Sequence, residues 1–266
     1  MYKHRFIALI AILTLAFIFL PLILIVITSF NSANTISIPL DGFSLQWFAK
    51  VFKSRSLMQS FKNSLTLALL ASVIGIVIGL VASMALVKRP GKVSNTLLSI
   101  FLSPSLIPGI VIGYVLFRFL VVVLQIPLNL ALILGHLLIV LPFCVRIISA
   151  SLKELDESIE EAARTLGCPP TRAFLTVVLP NLRPAILSAF MLSFINSFNN
   201  IPVSMYLKGP GLNTLPYAMM NHIEYNYDPT VSALSVMLMA MTLIFMVLLD
   251  RSMNTQQTRT KITKGE

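Results

Sequence analysis

The chain has 266 residues, 56% of them hydrophobic and only 11% charged, with a formal net charge of +10. A mean hydropathy of +0.87 excludes an ordinary soluble domain and places the chain among polytopic membrane proteins. The basic balance therefore belongs to loops beside a lipid membrane, and no nucleic-acid partner is expected.

Six charge-free stretches follow one another, at residues 6–40, 63–87, 93–117, 119–145, 184–207 and 229–249. Each holds about 20 apolar residues, the length a hydrocarbon core asks of a helix. The expected fold class is all-α, a polytopic membrane protein with six transmembrane helices and a hairpin in water between helices 4 and 5. The expected organisation is an N-terminal transmembrane helix and outer loop over 1–56, a transmembrane domain over 57–250, and a tail over 251–266.

In the first stretch, Lys3, His4 and Arg5 precede an apolar run too long for a cleaved leader, and residues 25–30 offer no small-x-small cleavage pattern; a retained anchor is expected. The second carries Gly75, Gly79, Ala82, Ser83 and Ala85 at helical spacing, which lets helices approach closely. In the third, Ser103-Pro104 and Pro108-Gly109 interrupt the helix, as a simple kink or as a moving gate. His136 in the fourth has no carboxylate nearby in sequence and reads as an interhelical hydrogen-bonding group, while Arg146 reads as a side chain snorkelling to the headgroups.

Fourteen of the twenty Lys and Arg residues lie before the first stretch, between the second and third, around residues 146–183, or after the sixth. By the positive-inside rule both termini and the hairpin are cytoplasmic. Cys144 and Cys168 fall at that reducing end, where a disulfide is not expected.

Residues 152–180 read LKELDESIEEAARTLGCPPTRAFLTVVLP, and five of the ten acids crowd into residues 154–161. So polar a segment projects into water. Leu152, Leu155, Ile159, Ala162, Ala163 and Leu166 recur at steps of three and four, which predicts a helix with one apolar stripe. Gly167 is placed to end it in a left-handed conformation; Pro169 and Pro170 open a second short helix to about Val178, which Pro180 closes. The small Ala162 and Ala163 would let the helix sink into a groove on a protein partner, and the acids disfavour the other reading, a helix lying on anionic headgroups.

Glu161, Ala162, Ala163, Gly167, Val177, Leu179 and Pro180 resemble the E-A-A-x3-G-x9-I-x-L-P signature of permease subunits of binding-protein-dependent ABC importers of the type I, MetI-like kind. Val177 in place of isoleucine is the one departure. The resemblance implies a bacterial inner-membrane complex of two permease subunits, a cytoplasmic ABC ATPase dimer and a periplasmic solute-binding protein. It further implies that the hairpin is the coupling helix, seated in a cleft of the ATPase. ATP and Mg would be bound by the partner ATPase and no cofactor by this chain, which has no phosphate loop: Gly91-Lys92 lacks the upstream glycine at Leu86 and the hydroxyl at Val93.

The fifth stretch carries Ser193, Asn196, Ser197 and Asn200 on one face, with Asn199 beside it and Pro202 freeing the carbonyl of Phe198. Such groups suit a solute passage, and equally suit bridges between helices. This region resembles the spermidine and putrescine permease branch, in which acids commonly stand where this chain has Asn199-Asn200. The solute expected is thus polyamine-like or amino-acid-like, with any acidic groups on a partner permease in the first case. Glu224 and Asp228 on the following loop read as solvated charges. His4, His136 and His222 lie in three separate regions, so neither a metal site nor an enzyme is expected. The competing function class is an ion-coupled secondary transporter.

Overall fold

The protein is described by a computed structural model that covers residues 2–89, 91–226 and 228–263. Its elements are helical: α1 Tyr2–Ser29, α2 Gln46–Lys53, α3 Arg55–Val87, α4 Lys92–Leu102, α5 Gly109–Leu116, α6 Leu128–Glu154, α7 Glu157–Thr165, α8 Pro170–Ala173, α9 Leu179–Asn181, α10 Arg183–Phe198, α11 Pro202–Tyr206, α12 Leu215–Tyr225 and α13 Thr230–Thr263. Three of them are long and apolar enough to cross a membrane, and two bent helix pairs raise that number to five; residues 230–244 add a shorter apolar stretch.

The bends fall where the sequence removes backbone donors. Pro104 lies within a 3-10 turn at Ser103–Leu106 and Pro108 follows it, and the chain turns through 101° between the segments before and after the break. The helix then runs on from α5 through a π turn at Phe117–Val123, so Arg118 lies inside this element instead of between two spans. The charge-free stretch 119–145 is accordingly split: its first residues finish one helix and α6 begins only at Leu128. In the same way, the stretch 6–40 is helical only to Ser29, and α13 continues to Thr263, into the segment set apart as a tail.

Contacts divide the chain into two units. In the unit from Gln59 to Ala218, α6 is the centre. Its buried face, including Ala131, Leu132, Ile139 and Val140, packs with Leu67 and Ala71 of α3, Ile112 of α5 and Val203 and Leu207 beyond the α10 break. A second cluster joins Ile148 and Leu152 of α6 to Val178, Leu182 and Ala189. Gly79 explains the small-residue face of α3: a Cβ there would stand 2.7 Å from the Cβ of Cys144, so only glycine allows this approach to α6. Ser83 Oγ donates to the carbonyl of Val145 at 3.2 Å and accepts from Ser149 Oγ at 2.9 Å, adding polar links to that contact.

The other unit joins the chain up to Met58 with the chain from Met219 onward. Here α1 packs on α13, with Thr28 Oγ1 donating to Ser232 Oγ at 3.2 Å. The loop after α1 is organised by the buried Asn31. Its Oδ1 accepts from the amide of Asp41 at 3.1 Å, its Nδ2 donates to Ser37 Oγ at 3.1 Å, and its carbonyl accepts from the indole of Trp47 at 2.6 Å.

Candidate coupling surface and passage

α6 ends at Glu154, and the extended Leu155 and Asp156 separate it from α7. The apolar stripe expected over residues 152–166 is therefore divided: Leu152 is buried in α6, and only Ile159, Ala162 and Ala163 ride on α7. Asp156 caps α7 by accepting from the amide of Ser158 at 2.9 Å, and that bond holds its carboxyl below the ordinary carboxylate range. Lys88, just past the end of α3, reaches Glu160 with Nζ at 2.8 and 2.7 Å from the two carboxylate oxygens. Nothing near Lys88 in the sequence announces this link.

Gly167 adopts φ +84°, the left-handed conformation expected of it, and a Cβ there would meet nothing within 4 Å. The surface around it is open. Ala162 is exposed, Ala163 half-buried, and Leu166 stands 88% exposed. Glu161 is also exposed, whereas Val177, Leu179 and Pro180 are half-buried. Pro180 does not close the second helix as expected. A π turn at Phe174–Val178 carries the chain into α9, with Pro180 in its first turn, where a missing amide costs little, and a 66° bend follows before α10.

The polar residues of the fifth stretch separate into two groups. Ser193 and Ser197 are buried against α6: Ser193 Oγ lies 3.1 Å from Cys144 Sγ, and Ser197 Oγ lies 2.8 Å from His136 Nδ1. Across the helix break, His136 Nε2 lies 3.1 Å from Ser204 Oγ. Because Ser204 donates its own proton to the carbonyl of Asn200 at 2.8 Å, its oxygen accepts from Nε2, and Nδ1 accepts from Ser197. One imidazole thus ties both sides of the break to α6. Asn200 is partly committed too, its Oδ1 accepting from the amide of Val203 at 2.9 Å. Asn196 is half-buried and Asn199 exposed, and neither amide has a side-chain partner among the described residues.

Asp228 departs from the expectation of a solvated loop charge. It is buried, with Oδ2 2.5 Å from Lys50 Nζ and Oδ1 accepting from the amide of Thr230 at 3.0 Å and lying 3.0 Å from His222 Nε2. Glu224 is exposed.

Residues 71–262 match the profile of the family described as binding-protein-dependent transport system inner membrane component. The chain belongs to this family. It is a permease subunit of an ABC importer. The putrescine transport system permease protein PotI of Escherichia coli (strain K12) is 30% identical over 239 residues, covering 86% of this permease and 85% of the relative. The spermidine/putrescine transport system permease protein PotC of the same strain is 29% identical over 233 residues, 87% of this permease and 88% of the relative. Among solved structures, a permease chain of a bacterial alginate ABC transporter, crystallised with an alginate pentasaccharide-bound periplasmic protein, superposes with a TM-score of 0.72 at 14% identity, covering 94% of each chain. That likeness establishes the helical fold.

Proposed function

We propose that this permease crosses the membrane six times with both termini in the cytoplasm, and that α7 is its coupling helix, seated in a cleft of a separate ATPase. In this reading residues 57–250 form the permease domain, a second permease subunit completes the passage, and a periplasmic binding protein delivers the solute. ATP and Mg are bound by the ATPase dimer. Closure of that dimer moves the cleft, and α7 passes the displacement through α6 and the bent α9–α10 pair to the passage. The observation that carries the reading is the open, small-residue surface made by Ala162, Gly167 and Leu166 on a helix capped by Asp156 and held by Lys88. Leu166, 88% exposed beside Ala162 and Gly167, supports a surface that a partner covers.

The passage uses the free amides of Asn196 and Asn199, with Ser193, Ser197 and Asn200 shaping the break beside them. The solute is a small amino compound. The putrescine and spermidine/putrescine relatives support an amine, and the amides in place of acids support one with less positive charge than a polyamine.

Ala162→Asp tests the coupling surface, because docking would bury a carboxylate without a partner. The expected outcome is an assembled complex at wild-type membrane levels whose binding protein no longer stimulates ATP hydrolysis and whose uptake is abolished. Wild-type uptake by this variant would remove α7 from the coupling path.

A further inference from the structure

We propose that a cleft between α4 and α6 binds small zwitterions, molecules that carry an oxyanion and an ammonium group on one short chain; this rests on the permease reading above and narrows its substrate class. The cleft has a volume of about 310 Å³. Arg146 of α6 lines it together with Ser99 of α4 and Ser105 of the 3-10 turn, and Leu102, Leu106 and Phe143 add apolar surface.

Three observations fix the chemistry. First, Arg146 is exposed to the cleft and has neither a hydrogen bond nor a carboxylate partner among the described residues. Five guanidinium donors without an acceptor are matched by a planar or tetrahedral oxyanion. Second, Ser99 donates its proton to the carbonyl of Asn95 at 3.0 Å and Ser105 to that of Leu102 at 2.6 Å. Their lone pairs are what remains for a ligand, so they accept from an ammonium and do not compete for the oxyanion. Third, no residue that lines the cleft is an acid, so a dication has no counter-charge here. The apolar sides take the alkyl segment that joins the two charged ends.

The position suits a passage. Arg146 lies eight residues before the end of α6, about 12 Å along the helix, which in the proposed orientation is its cytoplasmic third. Ser105 sits in the 3-10 turn at the 101° break, so a change in that bend moves Ser105 against Arg146. The amides of Asn196 and Asn199 pass a solute without holding a charge, whereas this cleft holds both ends of a zwitterion.

A phosphatidylethanolamine headgroup carries the same two charges, and the experiment separates it from a solute. The complete importer complex, in nanodiscs of phosphatidylcholine and without ATP, is titrated with γ-aminobutyrate, butyrate and putrescine, and binding is read by saturation-transfer NMR. γ-Aminobutyrate is expected to bind best, butyrate more weakly and putrescine not at all. Arg146→Gln should weaken γ-aminobutyrate about tenfold or more, Arg146→Lys should recover part of the loss, and Ser99→Ala with Ser105→Ala should reduce γ-aminobutyrate to the level of butyrate while leaving butyrate unchanged. Monodisperse elution of each variant complex checks assembly. Putrescine binding as tightly as γ-aminobutyrate, or an Arg146→Gln complex that binds unchanged, overturns the site. Loss of γ-aminobutyrate binding in phosphatidylethanolamine nanodiscs, with a lipid adduct in native mass spectra that Arg146→Gln removes, makes the headgroup the occupant and overturns the substrate assignment. Because binding is read without ATP, an empty cleft in a complex with intact ATP-driven uptake rejects this site alone and leaves the coupling surface standing.

Discussion

Asp228 shows how a single side chain can be misread from its neighbours in sequence. It follows the polar run Glu224 to Asn226 and would pass for a loop charge, yet it is buried and gathers Lys50, His222 and the amide of Thr230. Burial pushes its carboxyl up, but the hydrogen bonds from Lys50, Thr230 and His222 outweigh burial and hold it well below the usual carboxylate range. A carboxyl whose folded pKa lies under the unfolded value of about 3.9 contributes stability that is fully present above that value and is lost as pH falls through the folded pKa. Asp228→Asn should therefore destabilise by about 2 kcal/mol, and the difference should stay level from about pH 5 to 8, shrinking only below about pH 4. Thermal unfolding of both forms in a His222→Gln background, where the carboxyl alone titrates, reads this directly. A difference that grew on acidification would contradict the assignment. Gly167 is the opposite case, since its left-handed φ was legible from a glycine standing where a helix must stop.

Among the elements, α7 depends on a contact that no periodicity encodes. Lys88 and Glu160 are 72 positions apart, and their ion pair ties α7 to the end of α3. Lys88 is 45% exposed, so the pair adds little to global stability. In the proposed coupling role its consequence lies in transmission, because it restrains α7 against the helix that precedes the broken pair α4–α5. Lys88→Glu or Glu160→Lys is expected to lower the solute moved per ATP about threefold, the factor that follows from losing about 0.6 kcal/mol of pairing. The double reversal should restore it. Uptake and phosphate release measured on the same proteoliposomes give the ratio, and single variants with an unchanged ratio would leave the pair without a part in coupling. The second arm of the hairpin differs from its sequence pattern for a local reason. Pro180 stops a helix only when the amide it lacks is needed, and the π turn at Phe174–Val178 shifts the ladder so that it falls in a first turn.

On the scale of the whole molecule, transport driven by a partner ATPase predicts a clear energy dependence. Uptake into cells should stop when ATP is depleted with the proton gradient intact, and should survive an uncoupler while ATP is held up; the reverse pattern would favour an ion-coupled carrier. Membrane character, helical class and the breaks at Ser103-Pro104 and Pro108-Gly109 were legible in the sequence, because each is written in neighbouring residues: apolar length and missing amides. The boundaries of the spans were not, since charge-free runs ignore turns such as the one between Val123 and Leu128. Nor were the pairings of Asp228 with Lys50, Glu160 with Lys88, and His136 with Ser197 and Ser204. The sequence by itself determined what each segment can do in lipid and in water. Tertiary structure decided which polar groups are spent on one another and which, like Asn199 and Arg146, have no side-chain partner among the described residues, because that depends on distances between residues far apart along the chain.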